Sequence, residues 1–199
     1  MDKKLFAETE DFSLYDLGTF IQETNKIFVS DPSYDYIEDE HTHDPRKGLV
    51  MKLNLVIDDI TIGKWTAYIC IKNIDTGRNA ELICVHESID PLNIANNLEW
   101  KFIDDVCVDA GCVGIYDLPY YCGDDENMWR SINYNIMSKQ PHAGVIPNGA
   151  VSSSGYGDGI YPVYILKNSE SQVIGVKVVF IDPNSEQTKM HFKMFGIAH

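Results

Sequence analysis

The sequence predicts a mainly β protein: an antiparallel β-sandwich or open barrel with one amphipathic helix at about residues 124–139. Three observations predict it. Apolar residues alternate with polar ones over much of the chain, the period of a half-buried strand. The links between these runs are short and rich in Asn, Asp, Gly and Ser. A single stretch has the wider apolar spacing of a helix. At 199 residues the default is a single domain, 1–199, with an exposed acidic loop at about 31–48.

The elements follow in order. Thr19–Gln22 and Lys26–Ser30 are short strand candidates divided by Glu23-Thr24-Asn25. "DPSYDYIEDEHTHDPRKG", residues 31–48, is polar and turn-rich and predicts the loop. In "LVMKLNLVID", Met51, Leu53, Leu55 and Ile57 alternate with Lys52 and Asn54, which predicts one strand. Trp65, Ala67, Ile69 and Ile71 alternate with Thr66, Tyr68 and Cys70. Ala80–His86, Phe102–Val108 and Tyr161–Leu166 are further candidates, and Pro91–Leu98 suits a one-turn helix. Ile174, Val176, Val178 and Phe180 oppose Lys177, and Met190, Phe192 and Met194 oppose His191 and Lys193. Short hairpin links imply antiparallel pairing of about ten strands in all. "GDDENMWRSINYNIMSKQP" opens on acids that suit a helix N-terminus, places Trp129, Ile132 and Ile136 on one stripe, and stops at Pro141.

Charge narrows the function. Sixteen Lys and Arg stand against 30 Asp and Glu, a formal charge of −14. Nucleic-acid binding needs a basic face for counterion release, and no basic cluster occurs. Direct nucleic-acid binding is therefore not expected. An acidic surface fits solubility, a basic protein partner, or mimicry of nucleic acid. The start has no apolar signal region and no run reaches membrane-spanning length, so no membrane association and a cytoplasmic location are expected. The cysteines Cys70, Cys84, Cys107, Cys112 and Cys122 form no C-x-x-C pair, which fits a reducing compartment. No cofactor is expected.

"VSSSGYGDGIYPVYIL", residues 151–166, is the densest stretch. It matches neither a P-loop nor a dinucleotide fingerprint, because a strand rather than a helix follows it. It reads as a tight turn or bulge at Gly155–Gly159, with Asp158 bonded to main-chain amides and Gly157 or Gly159 at positive φ. Tyr161, Val163 and Ile165 then share one face, and Pro162 needs an edge or a strand start. In "VDAGCVGIYD", residues 108–117, Asp109 and Asp117 are paired carboxylates that could do acid–base work. The blander reading has Asp109 satisfying amides at a strand end. His41 and His43 could share a metal if they lay on one strand face, yet no glutamate follows at the needed spacing. His142, after the helix, suits a helix C-terminus. Ser152–Ser154 could hold a nucleophile, but nothing identifies its base.

Two functional expectations follow. The first is a non-enzymatic intracellular binding protein that engages a basic macromolecular partner through its acidic surface, for which immunity or anti-defence would be one setting. The alternative is an enzyme or small-ligand binder with a pocket near Asp109, Asp158 and Tyr161, lined by Gly157 and Gly159, with Asp109 and Asp158 as catalytic candidates.

"FVSDP", "VDAGCVGIYD" and "SSGYGDGIYPVY", followed by "VIGVKVVFI", together resemble a family of bacterial and viral proteins catalogued as domain of unknown function 4241. The resemblance implies a single-domain cytosolic protein. It marks Asp31, Asp109, Gly111, Gly157, Asp158, Gly159 and Tyr161 as hallmark positions. It brings no established activity, so no catalytic role is carried over.

Overall fold

A computed structural model describes residues 4–8, 12–34, 41–44, 49–72, 77–94, 98–121 and 125–182. The expected strand at Met190–Met194 lies outside them, as do Cys122 and Asp124. The rest is mainly β, as the alternation predicts. A seven-stranded antiparallel sheet has the order β1 (Lys4–Glu8), β2 (Phe12–Gln22), β7 (Gly63–Lys72), β8 (Asn79–His86), β14 (Val173–Val179), β13 (Gly159–Lys167), β9 (Lys101–Val108). A five-stranded sheet has the order β11 (Ala143–Ile146), β12 (Gly149–Ser153), β10 (Cys112–Asp117), β3 (Ile27–Ser30), β6 (Asn54–Ile57).

Period-two alternation puts one face of each sheet into a shared core. Trp65, Ala67, Ile69, Leu82, Val106, Val163 and Val176 from the large sheet meet Ile27, Val29, Leu55, Val113, Ile115 and Ala150 from the small one. Tyr161, Val163 and Ile165 share this face, as expected. Pro162 lies where β13 pairs with β9 alone, since its ladder to β14 starts at Val163. Its missing N–H therefore breaks no ladder to β14.

Both outer faces are partly covered. The helix α1 (Glu126–Ile132), continued by a π-helical turn over Asn133–Met137, falls within the expected range. Asp125 caps it by accepting from Asn127 N and Met128 N. Ile132, with Met128, Trp129 and Ile136, packs on Phe28, Tyr116 and Val151 of the small sheet. Across the molecule, Ile94 and Trp100 pack on Leu14, Tyr68, Ile83 and Val85 of the large sheet.

Three expectations need correction. First, β2 begins at Phe12 rather than Thr19. A bulge between Asp16 and Gly18, where Gly18 has φ 113°, inserts a residue and switches Leu14 outward and Phe20 inward. A fixed period of two cannot follow that switch. Second, the single strand expected over 49–58 is broken at Leu53, whose carbonyl accepts from Ser30 Oγ. Its halves are β5 (Leu49–Lys52), paired with β4 (His41–Asp44), and β6, paired with β3. Third, the loop at 31–48 is not exposed throughout. Asp31 and Pro32 are buried and 41–44 is a strand; residues 35–40 and 45–48 lie outside the described set.

Candidate functional site

β3 and β10 run antiparallel, Ser30 opposite Gly114 and Ile27 opposite Asp117. Each strand ends in a fully buried aspartate that reaches across to the turn leading into its neighbour. Asp31 follows β3. Its Oδ2 accepts from Asp109 N (2.9 Å) and Ala110 N (2.6 Å), and its Oδ1 from Ser33 N (2.9 Å) and Ser33 Oγ (2.7 Å). Asp117 ends β10. It accepts from Glu23 N (2.6 Å), Thr24 N (3.2 Å), Gln22 Nε2 (3.1 Å) and Thr24 Oγ1. Filling a carboxylate's lone pairs with donors is what lets an ionised group stand buried.

Asp109 and Asp117 therefore stand at opposite ends of β10 and cannot act as an acid–base pair. Nor does Asp109 satisfy the strand-end amides; Asp31 does that, and Asp109 is exposed. "FVSDP" carried the local signal, an acid before proline at the end of an apolar run.

The two glycine-bearing turns meet. Ser154 N donates to Gly111 O (3.0 Å), and a Cβ built on Gly111 would stand 3.6 Å from Gly157 Cα and 4.0 Å from Asp158 Oδ1. Gly157 N closes the second turn onto Ser154 O (3.1 Å). Gly155 has φ 62° and Gly157 φ 102°, while Gly159 is not in the left-handed region. The expected Asp158 bonds to amides are absent. Asp158 is exposed and, among the described residues, makes no hydrogen bond. Ser154 and Tyr161 hold the turn instead, through its carbonyls rather than its amides. Ser154 Oγ donates to Gly157 O (2.7 Å), and the Tyr161 hydroxyl lies 2.6 Å from Gly157 O and 2.9 Å from Ser154 O. A hydroxyl can fold inward onto carbonyls, which a carboxylate cannot do. Burial pushes Tyr161 up to about 12, with Asp158 adding to the shift and the Ser154 bond opposing it. Tyr161 is thus a buried strut of the turn, not an exposed acid.

On the outer face of β9, Tyr34 donates to Cys107 Sγ at 4.0 Å. Burial, reinforced by Asp109 and Asp31, pushes the Cys107 thiol up, against the Tyr34 bond that lowers it. Burial pushes Tyr34 up as well, with Cys107, Asp31 and Asp109 adding to it. Both groups are held in their protonated forms, the opposite of an activated nucleophile. Asp105, which nothing in the alternation singles out, is half-buried beside Asp104. Burial and that neighbouring carboxylate push it up. Asp104 pairs with Lys52 at 2.6 Å. Asp105, Asp109 and Asp158 have no ion pair or side-chain hydrogen bond among the described residues.

Of the remaining candidates, His41 and His43 lie on β4, their side chains outside the described set. No group of three or more His, Cys, Asp or Glu among the described residues could hold a metal. The His142 ring meets Met137 O at 2.6 Å, at the helix's C-terminal end as expected. No described helix is long and apolar enough to cross a membrane. Comparison with family models, curated proteins and solved structures finds no match to the chain.

Proposed function

We propose that this chain is a non-catalytic binding protein that engages a basic macromolecular partner. The observation behind it is a row of carboxylates along edge strand β9 and the turn beside it. Asp104, Asp105 and Asp109 follow one another there, and Asp158 stands next to Gly111. Among the described residues, Asp104 alone of these pairs with a cation, Lys52. A half-desolvated carboxylate beside a like charge gains from an incoming Lys or Arg. Phe102, half exposed and edge-on to Tyr164 at 5.8 Å, adds an aromatic surface on which a guanidinium can stack. Burial favours the protonated forms of the neighbouring Cys107 and Tyr34, so neither is an activated nucleophile.

The test uses the full chain against a Lys/Arg-rich peptide and an acidic peptide of equal length, at low and high salt. Binding to the basic peptide alone, lost at high salt and weakened in D105N/D109N/D158N, is expected. Equal binding of both peptides, or an unchanged triple variant, overturns the reading. A triple variant that binds as before but self-associates assigns the row to protection of an exposed sheet edge, which also overturns it.

A further inference from the structure

Edge strand β9 carries a bulge that brings an aromatic ring and an acid onto one face. Its register to β13 shifts between Val163 and Tyr164: Val163 stands opposite Asp104, and Tyr164 opposite Phe102. The bulge takes up Ile103, which packs inward on the shared core, as Val106 does. In a regular strand, residues three apart lie on opposite faces. Here Phe102 and Asp105 stand opposite Tyr164 and Pro162, two positions apart on β13, so both face outward. Strand geometry sets those two positions about 7 Å apart.

This outer face already holds one cation between rings and a carboxylate. Lys177 lies opposite Tyr164 on β14. Its Nζ stands 5.0 Å from the Trp100 ring centroid, 5.5 Å from that of Tyr164 and 3.7 Å from Glu81 Oε2.

On the β9 side of Tyr164 the same two kinds of group recur. Phe102 is 50% exposed, and its ring is braced edge-on by Tyr164 at 5.8 Å. Asp105 donates its main-chain N–H to Asp104 Oδ1 at 2.9 Å. Its own carboxylate meets no cation or donor among the described residues. Asp105 is near enough to Tyr164 to add to that phenol's upward push, behind burial and Asp182. Burial and the Asp104 charge push Asp105 itself up, so a cation arriving there gains more than at a fully solvated acid. A flat guanidinium can lie on a ring and turn two N–H groups to one carboxylate at the same time. An ammonium has no plane to stack and is more strongly hydrated.

We propose that Phe102 and Asp105 form a seat for an arginine side chain of the partner and select it over lysine. Such a seat presupposes the basic partner proposed above, and it specifies which side chain that partner supplies. The test measures binding of the full chain to two basic peptides, identical except that every arginine of one is lysine in the other. The arginine peptide should bind at least about fivefold tighter. Phe102→Leu should bring the two affinities together by weakening the arginine peptide, with the amide spectrum otherwise unchanged, and Phe102→Trp should keep the preference. Asp105→Asn should also remove it, whereas Asp158→Asn should weaken both peptides alike. Equal binding of the two peptides by the unaltered chain, or a preference that survives Phe102→Leu, overturns the seat and leaves the basic partner standing. Binding of neither peptide overturns the basic partner and the seat with it.

Discussion

The two ends of the β3–β10 pair use one device for two outcomes. At one end Asp117 is buried and gathers the β2–β3 turn, holding the amide of Glu23, an exposed acid whose carboxylate accepts from the Tyr120 hydroxyl. At the other end Asp31 gathers the turn before β10 in the same way and holds the amide of Asp109, an exposed acid whose carboxylate has no hydrogen-bond partner among the described residues. The comparison separates two kinds of aspartate. Those whose oxygens are filled by main-chain donors hold the fold. Asp109 and Asp158 present oxygens that no described residue fills. The acid displayed at the Asp117 end, Glu23, is already met by Tyr120; those at the Asp31 end are met by nothing among the described residues.

The largest effects should come from removing either anchor. Asp117→Ala and Asp31→Ala each strand several buried donors, so each should lose about 3–5 kcal/mol of stability. Urea denaturation measures this, and the denaturant slope should stay unchanged. If Asp31→Ala costs less than about 1 kcal/mol, well below Asp117→Ala, the two ends are not equivalent anchors.

Next come the glycines of the displayed turn, which differ in their surroundings. A Cβ on Gly155 would meet Phe180 Cβ at 3.0 Å, Asn79 O at 3.1 Å and Ile181 Cγ1 at 3.1 Å, and its φ is 62°. Gly157 has φ 102° with open space around it. Gly155→Val should therefore cost about 2–4 kcal/mol, strain plus crowding. Gly157→Val should cost about 1–3 kcal/mol, strain alone. Thermal unfolding of the two variants in parallel checks the order, and the reverse order would mean that the turn is built differently.

The ends should also part company in alkali. Tyr161 titrates at about 12 in the folded chain against about 10 unfolded. A raised value favours the protonated, neutral form in the fold. Its contribution is therefore full below pH about 10 and is lost as pH rises toward 12. Up to roughly 2–3 kcal/mol is at stake. Tyr161→Phe should lower stability at pH 8, by losing the bond to Gly157 O, and should flatten the fall between pH 8 and 11. Tyr68, also raised to about 12, lies under Ile94 on the outer face and supplies a remaining slope. An equally steep fall in the phenylalanine variant would remove Tyr161 from the account.

Much of this was legible in the sequence, and the limits have physical causes. Strands such as Trp65–Ile71 and Tyr161–Ile165 obey a strict period and were readable. β2 was half hidden because its bulge reverses the inward face at Gly18. The 49–58 run looked continuous because alternation continues through Leu53, while the break is a change of partner, which a single strand does not encode. At the site, the meeting of the two glycine turns was foreseeable from sandwich topology. The exchange of roles was not. Sequence shows that Asp31, Asp109, Asp117 and Asp158 are acids near turns, but which of them faces inward depends on strand ends brought together from residues 23, 31, 109 and 154.

The smallest stability effect should come from Asp158→Asn, and it tests the comparison most sharply. Asp158 is exposed and holds no amide among the described residues, so losing its charge removes no hydrogen bond there. Exposed substitutions of this kind stay within about ±0.5 kcal/mol. Removing a carboxylate that adds to the upward push on Tyr161 should let the tyrosine titrate slightly lower, visible by its ultraviolet absorbance in a pH titration. Binding of a basic peptide, by contrast, should weaken and its salt dependence should shallow, because one fewer charge is available to pair. Asp117→Asn gives the matching control at the anchored end: a larger loss of stability, since the new N–H₂ faces donors, and no change in peptide binding by the protein that remains folded. If Asp158→Asn instead destabilises the chain as Asp117→Asn does, the exposed acid is a structural cap after all, and the division between anchoring and displayed aspartates fails.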